Sequence, residues 1–413
     1  MLALQSSGIP CIYIAIPVQD ESYNLQSLYS SINSQTYRNF KLIVCVNQPD
    51  SWWQDPEKLH ICRDNLISLQ KFASWDGFPI TIIDKCTSGK GWKGKHFGVG
   101  WARKTALDAC REMSSDSDIL LCLDADTIIK PRYLEAIADA MKMHPESVAL
   151  AVPYTHQPAD TIENERAILR YEIYMRYYAI NLWRIKSPYS FTALGSAMAV
   201  RADAYTRIGG ITPLKSGEDF YFLQKLRKYG ELLFWCSEKA YPASRLSSRV
   251  FFGTGPALIK GMSGEWKSYP LYPPSLFDKV KETTDLFAEL YTHDIQTPMD
   301  SFLKKIFKEE YIWEPLRSKK KQFVRACHEK VDALRILQFL KSITENDEVE
   351  NSNNFRLLLS EYYSQFLNDT DAKWLETFSL LESENSILQK ARELLIIIEE
   401  HYQKNHYFEG YLT

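Results

Sequence analysis

The chain has 413 residues, of which 45 % are apolar and 24 % charged, and its formal net charge is −3. This composition is typical of a soluble globular protein and excludes a disordered or fibrous chain. A near-neutral balance gives no support to general nucleic-acid binding, which needs a basic surface. The length exceeds the roughly 250–300 residues that one hydrophobic core usually serves, so we expect two domains.

The first part of the chain alternates β-rich and helical segments. The strand-like runs are Cys11–Val18, Phe40–Val46, Phe78–Ile83 and Ile119–Leu123, and the helical segments between them include Asn24–Ser34 and Gly98–Met113. This alternation predicts an α/β fold, a mostly parallel sheet with helices on both faces. Ligands of such sheets bind beyond the carboxyl ends of the strands, so the residues that follow each strand are the candidates for function.

The chain changes character near residue 280, after which glycine and proline almost disappear. Apolar spacing predicts helices at Asp332–Leu340, Phe355–Phe366 and around residues 387–398. The polar run Glu345–Asn354 predicts a loop between them. We therefore expect a first domain at 1–278 and an all-helical C-terminal domain at 279–413.

Two features favour a cytoplasmic location. The longest apolar run, within residues 12–18, is far shorter than the roughly 20 residues that a bilayer requires, and no basic segment precedes a long apolar stretch as in a secretory signal. The eight cysteines form no C-x-x-C pair, and a disulfide scaffold is unusual at this length. We expect buried free thiols in a reducing cytosol.

Two carboxylates, Asp124 and Asp126, directly follow the fourth strand-like run. Oxygen ligands at this spacing suit Mg²⁺ or Mn²⁺, which often bridge a protein to a diphosphate. Such a cation would offset charge on a departing phosphate. The alternative for these two residues alone is a turn and a helix N-cap before Pro131.

A second acidic pair, Glu218 and Asp219, begins a segment with helical apolar spacing. Acidic residues at a helix start complement the helix dipole, which is one explanation for the pair. The other is catalytic, because a carboxylate in a cleft can accept a proton from a hydroxyl nucleophile. These residues alone leave both explanations open.

Together with the segments around them, the two pairs resemble glycosyltransferase family 2, whose members have the GT-A fold. The resemblance covers about residues 10–260 in the family's order. It is carried by Ile14–Leu25 (the opening strand and loop, usually I-P-x-Y-N-E), Gly98–Lys104 (the G-x-x-x-A-R-N helix), Leu123–Asp126 (D-x-D), Gly195–Arg201, Ile208–Gly210 and Gly217–Asp219 (the E-D motif).

The resemblance implies an inverting transfer of a sugar from a UDP- or GDP-linked donor to an acceptor hydroxyl, in the synthesis of a cell-surface glycan or glycolipid. It implies that Asp126 is the main ligand of Mn²⁺ or Mg²⁺ and that Asp124 touches the metal or the donor ribose. It also implies that Asp219 is the catalytic base and that Glu218 orients the acceptor or the base.

The same resemblance places Pro17, Glu21 and Arg103 near the nucleotide, with Glu21 on the base or the ribose. The end of the second strand departs from the family, because many members have an acidic pair there. Asn47 and Asp50 are both candidates for the nucleobase contact. No histidine follows the E-D motif to complete a metal shell, so water or diphosphate oxygens would fill those positions.

Three further segments have two or more interpretations. In the Gly-rich basic loop Lys90–His96, Lys93 and Lys95 would attract the donor diphosphate, or the loop is simply solvated. Arg249 suits a donor diphosphate, or it pairs with a carboxylate of the protein. The Tyr-rich run Arg166–Trp183 is an amphipathic packing helix, a border of the acceptor site or a membrane-surface helix.

We expect a nucleotide-sugar donor and a carbohydrate or lipid-linked acceptor as partners, and no nucleic acid. Peripheral association with the inner face of the membrane is left open. A sugar nucleotidyltransferase is a rival enzyme class, although Gln19–Asn24 lacks its Gly-rich basic signature. The rival outside enzymes is a glycosyltransferase-like scaffold whose helical region recruits partners.

Overall fold

The computed structural model describes residues 9–244, 259, 269–344 and 348–409. The chain divides into two compact units, and each is built from separate stretches of sequence. The first unit comprises residues 1–160, 193–259 and 404–413, and the second comprises residues 161–192 and 260–403. The predicted domain division at 278/279 stays a prediction.

A seven-stranded sheet with the order β3-β2-β1-β4-β7-β6-β8 forms the centre of the first unit. Its strands are β1 (Ile12–Val18), β2 (Phe40–Asn47), β3 (Ile80–Lys85), β4 (Ile119–Cys122), β6 (Ser147–Ala151), β7 (Met198–Arg201) and β8 (Glu231–Leu233). Adjacent strands are parallel except around β7, which is antiparallel to β4 and β6. A separate antiparallel pair joins β5 (Ile128–Ile129) to β9 (Ala240–Tyr241).

The central strands read as continuous apolar runs because helices cover the sheet. Every residue of β1 and β4 is buried, as expected for parallel strands that are covered on both faces. The helices of this unit are α1 (Leu25–Asn33), α2 (Leu59–Ala73), α3 (Val99–Met113), α4 (Tyr133–Met143), α6 (Ala202–Arg207) and α7 (Glu218–Tyr229). All eight cysteines of the chain are free and seven are buried, which confirms the expectation of unpaired thiols.

The second unit consists of helices within its described residues. They are α5 (Ile162–Arg184), α8 (Pro274–Asp285), α9 (Asp300–Phe307), α10 (Phe323–Lys330), α11 (Ala333–Ile343), α12 (Glu348–Leu357), α13 (Asp369–Glu376) and α14 (Asn385–Glu409). The last residues of α14, from 404 on, belong to the first unit. Short 3₁₀ or π turns lie between some of the helices. The predicted α/β fold class, a mostly parallel sheet with flanking helices followed by a helical C-terminal region, is confirmed.

The predicted loop Glu345–Asn354 is wrong over the residues of α12, which begins at Glu348. Three polar side chains of this helix, Asn351, Ser352 and Asn354, are buried and bind backbone groups from other segments. Asn351 Oδ1 accepts from the Leu271 amide at 2.9 Å, and Asn354 Nδ2 donates to the Leu271 carbonyl at 2.8 Å. The polar residues therefore form hydrogen bonds with buried backbone groups and do not indicate a solvated loop.

Helix α5 contains the Tyr-rich run, and its polar groups are used within the second unit. The Tyr177 hydroxyl donates to the Tyr272 carbonyl at 2.6 Å. The Arg176 guanidinium pairs with Glu172 at 3.3 Å and with Glu399 at 2.5 Å, and all three side chains are buried. These contacts favour the packing interpretation of the run. In the described part of the chain, no helix has the length and apolarity needed to cross a bilayer.

Candidate active site

The D-x-D carboxylates lie on the turn that follows β4, a central strand of the sheet. The Thr127 amide donates to the Asp124 carbonyl at 3.1 Å and closes this turn. Gln157 Nε2 donates to the Asp126 carbonyl at 3.0 Å and so holds the backbone of this turn at Asp126. Both aspartate side chains are partly exposed. The strand thus delivers two carboxylates to the edge of the sheet where ligands bind.

The E-D motif occupies the first turn of α7. Gly217 precedes the helix with φ 74° and ψ 15°, a left-handed conformation that glycine adopts without steric cost. Glu218 is buried, with 4 % of its surface exposed, whereas Asp219 keeps some contact with solvent. Asp219 Oδ1 accepts from the Phe220 amide at 2.8 Å. The start of the helix therefore presents one buried and one accessible carboxylate.

Arg103 on α3 connects the two acidic motifs. Its Nε donates to Glu218 Oε1 at 3.2 Å, and one terminal nitrogen donates both to Asp124 Oδ1 at 3.1 Å and to the Gly195 carbonyl at 2.8 Å. Only 2 % of Arg103 is exposed. Residues far apart in sequence are thus held around one buried guanidinium, whose planar fork suits several acceptors at once.

Two glycines make room for this connection. A Cβ on Gly195 would lie 2.5 Å from a terminal nitrogen of Arg103. A Cβ on Gly100, in the first turn of α3, would lie 2.0 Å from the Leu214 carbonyl oxygen, in the loop that leads to α7. Real Cβ atoms do not approach other heavy atoms so closely, so a Cβ on Gly100 would collide with backbone, and one on Gly195 would displace the end of the Arg103 side chain.

Charge and burial set the protonation of this cluster. Enclosure by protein and the neighbouring Glu218 carboxylate raise the pKa of Asp219 well above its usual value of 3.8, and Arg103 offsets this rise only in part. Burial alone would lower the pKa of Arg103, but the carboxylates of Asp124 and Glu218 raise it above its usual range. The guanidinium therefore stays charged, while the Asp219 pKa shifts towards neutral pH, where a general base is effective.

Asn47 and Asp50, the candidates for the nucleobase contact, both bind the loop between β3 and α3. Asn47, at the end of β2, donates to the Val18 carbonyl at 2.9 Å and accepts from Trp92 Nε1 at 3.2 Å. Asp50 Oδ1 accepts from the Gly89 amide at 2.7 Å. These bonds hold the ends of β1 and β2 against the basic loop.

Glu21 and Lys95 differ sharply in exposure. Glu21 is buried and accepts from Asn24 Nδ2 at 2.7 Å, in the loop after β1. Pro17 lies within β1 beside Cys45 of β2. Lys93 and Lys95 are exposed on the basic loop, and Arg249 lies outside the described residues. The donor roles of these residues stay predictions.

Sequence reasoning missed Trp92 and the Gly195 carbonyl. The Trp92 amide donates to the Gln48 carbonyl at 2.9 Å, and its ring nitrogen binds Asn47, so the residue ties the basic loop to β2. A Cβ on Gly91 would lie 2.7 Å from the Asp50 backbone. The tryptophan in the run Gly91-Trp92-Lys93-Gly94 was a usable signal, whereas no local pattern points to a carbonyl that binds an arginine 92 residues away.

The chemistry of the donor set fits a hard divalent cation. Asp124 and Asp126 offer carboxylate oxygens, which suit Mg²⁺ and Mn²⁺. No group of three histidine, cysteine, aspartate or glutamate side chains could hold a metal ion in the described part of the chain. Within the described residues, the two aspartates would therefore hold such a cation together with water or ligand oxygens, an arrangement that is common for Mg²⁺.

Comparison with known proteins agrees with the motifs. Residues 119–255 match the family model "Glycosyl transferase family group 2", and this segment contains both acidic motifs. The predicted resemblance is confirmed: the matched segment, about a third of the chain, is similar to this glycosyltransferase family. No curated protein matches the chain.

The solved structures that are similar to the chain include the following two. One is S. aureus TarS 1–349 in complex with UDP-GlcNAc, with 13 % identity, coverage of 96 % of this chain and 92 % of that chain, and a TM-score of 0.39. The other is the mannosyltransferase PcManGT from Pyrobaculum calidifontis in complex with GDP-Man and Mn²⁺, with 15 % identity, coverage of 94 % and 88 %, and a TM-score of 0.36.

Proposed function

We propose that this protein transfers a sugar with inversion from a UDP- or GDP-linked donor to an acceptor hydroxyl, in the synthesis of a cell-surface glycan or glycolipid. The observation that carries the proposal is the position of Arg103. It binds Asp124 of the D-x-D motif and Glu218 of the E-D motif, so the two acidic motifs form one site. The family match over residues 119–255 supports the reaction class.

Asp219 is the proposed general base. Its raised pKa gives it the basicity to accept the acceptor's proton, and its partial exposure lets a substrate reach it. The acceptor oxygen then forms a bond to the anomeric carbon as the bond from that carbon to the diphosphate oxygen breaks. The nucleoside diphosphate leaves with the bonding electrons on the face opposite to the attack, so the anomeric configuration inverts.

Arg103 acts as a positioning residue in this proposal. Its hydrogen bonds to Glu218, Asp124 and Gly195 use both sides of the guanidinium, and its burial keeps it from solvent. By fixing Glu218 it fixes the first turn of α7, and with it Asp219. Such fixed placement matters because small errors in the geometry of reacting groups cost large factors in rate.

Asp126 and Asp124 are the proposed holders of Mn²⁺ or Mg²⁺. When bound, the cation would neutralise charge that develops on the diphosphate leaving group. The resemblance to the family assigns the larger share of metal binding to Asp126, and Arg103 donates to one oxygen of Asp124. Lys95, on the exposed basic loop, and Arg249 are further proposed contacts of the diphosphate.

The test separates donor binding from chemistry. Titration calorimetry with UDP-, GDP- and other nucleotide sugars, with and without Mn²⁺, should identify one donor class. Asp126→Asn should remove the Mn²⁺-dependent part of the affinity. Asp219→Asn should keep the affinity but lower donor hydrolysis, with water as acceptor, by about 10²–10⁴-fold, the usual contribution of a general base.

Asp160→Asn is the matched control, because Asp160 is exposed on the same unit and should leave both measurements unchanged. The anomer that appears first on donor hydrolysis, followed by NMR, reports inversion or retention. Full hydrolysis by Asp219→Asn would refute the base assignment. Donor affinity with no turnover for any donor and acceptor would favour the scaffold instead, and formation of a nucleotide sugar from a sugar phosphate and a nucleoside triphosphate would favour the nucleotidyltransferase.

A further inference from the structure

A dense set of exposed lysines marks one segment of the second unit. It includes α9 and the 3₁₀ turn of residues 314–322, and the six lysines are Lys304, Lys305, Lys308, Lys319, Lys320 and Lys321. None of their side chains forms a hydrogen bond, an ion pair or a ring contact within the described residues. Residues 304–321 hold these six lysines and Arg317 against three glutamates, a net charge of 7 − 3 = +4, which contrasts with the chain's net charge of −3.

Neighbouring basic residues behave differently, because they are used to hold the segment together. Arg317 pairs with Asp294 at 2.6 Å, and Lys330 pairs with Glu309 at 2.5 Å. The Lys330 ammonium also lies 4.5 Å from the centre of the Phe307 ring. Asp294 and Glu309 are thus paired with other cations, and among the described residues none of the six lysines forms an ion pair with an acidic side chain.

Exposed apolar side chains lie among these lysines. Tyr311 is 61 % exposed, and Ile306 and Val324 are also exposed. The chain beneath them is well anchored, since Trp313 is buried and its indole nitrogen donates to Asp300 Oδ1 at 2.9 Å. Apolar groups held in water next to unpaired lysines are typical of surfaces that meet the headgroup region of a membrane.

We propose that residues 304–324 form a docking surface for an anionic phospholipid membrane. Clusters of four to eight basic residues bind anionic lipid headgroups, and six unpaired lysines lie in this range. The exposed Tyr311 and Ile306 would add contact with the interfacial region, which a soluble acidic polymer does not offer. The buried arginines of α5 make that helix unsuited to the same role.

Vesicle sedimentation tests this proposal with the full chain and no donor, so its outcome does not depend on the proposed catalytic function. The protein should sediment with vesicles of equal parts phosphatidylcholine and phosphatidylglycerol, and much less with phosphatidylcholine alone. Replacing Lys319, Lys320 and Lys321 by Gln should weaken partitioning by about fivefold for each lysine, and so by roughly a hundredfold. Added salt at 1 M should release the protein, since the screening length falls to about 3 Å.

The matched control replaces three exposed, unpaired lysines elsewhere in the second unit, Lys341, Lys373 and Lys390, by Gln. It changes the net charge equally and should leave vesicle binding nearly unchanged. Equal losses in both triple variants would show that net charge, not this segment, decides binding and would overturn the proposal.

Tyr311→Ser separates a membrane from an acidic polymer. The variant should reduce vesicle binding and leave binding to soluble dextran sulfate unchanged. If Tyr311→Ser leaves vesicle binding intact, and dextran sulfate competes fully for the segment, the surface binds polyanions and the lipid assignment is wrong. Absence of binding to the anionic vesicles would also overturn it.

Discussion

Replacing Arg103 by Met should strongly destabilise the first unit, and the buried Glu218 carboxylate is the main reason. The substitution leaves Glu218, which is almost fully buried, without its cation. Removal of one partner of a buried ion pair costs about 3–5 kcal/mol. Asp124 contributes less, because 35 % of its side chain is exposed and exposed pairs contribute about 0–1 kcal/mol.

This loss is large against the stability of a typical domain, about 5–15 kcal/mol. In a unit of this size each kcal/mol shifts the melting temperature by roughly 2–4 °C, so calorimetry should show a decrease of about 6–20 °C.

Arg111→Met on the same helix is the matched control. Arg111 pairs with Asp116 at 2.5 Å, but 72 % of the aspartate side chain is exposed. Arg111 also donates to the Thr206 hydroxyl and the Ser114 carbonyl, so the control should cost about 1–2 kcal/mol, less than the loss at Arg103. A double variant, Arg103→Met with Glu218→Gln, should lose less than the sum of the two single variants. If Arg103→Met melts no lower than Arg111→Met, the buried charge at Glu218 is not what Arg103 stabilises.

Two further predictions concern the same site. Because the folded-state pKa of Asp219 is raised, its protonated form favours folding below pH 4, and this contribution is lost as pH rises through the folded value. Asp219→Asn should therefore raise the melting temperature relative to wild type at pH 8 but not at pH 3. Donor hydrolysis by the wild type should decline as acid protonates Asp219. Equal melting shifts at both pH values would contradict the raised pKa. Gly100→Ala should destabilise the unit by about 1–3 kcal/mol, since its Cβ would collide with the Leu214 carbonyl. Urea denaturation should therefore show a lower midpoint. An unchanged midpoint would show that the loop containing Leu214 moves aside without a cost in stability.

Local sequence patterns predicted the central elements of the first unit well. Apolar runs located β1, β2 and β4 to within a residue or so at each end, because burial on both faces leaves a continuous apolar signature. The antiparallel direction of β7 was not predicted, since it depends on pairing with β4 and β6 rather than on its own residues.

Polar residues were the harder part of the fold. The run around Asn351 and Asn354 has the composition of a loop, yet both side chains are buried in α12, where they bind the backbone of Leu271. The partner lies about 80 residues away in sequence. No local pattern distinguishes a solvated asparagine from one that satisfies a buried carbonyl.

The candidate site shows the same division between local and distant information. Asp124, Asp126, Glu218 and Asp219 were identified because each pair lies at the end of a strand or the start of a helix. The geometry that joins the pairs depends on Arg103, whose partner Glu218 is 115 residues away. Sequence reasoning therefore located the carboxylates and proposed a nucleotide role for Arg103, but could not place the guanidinium between them.

The unpaired lysines of residues 304–321 indicate a binding surface, because they are not needed for folding. Elsewhere in the second unit, the structure uses cations for packing, as in the buried pair of Arg176 with Glu399. Exposed lysines without partners contribute little to folding, and their substitution usually changes stability by no more than about 0.5 kcal/mol. A folding requirement therefore does not explain the cluster. For the same reason, loss of vesicle binding in the Lys319, Lys320 and Lys321 variant would reflect the surface itself rather than damage to the fold.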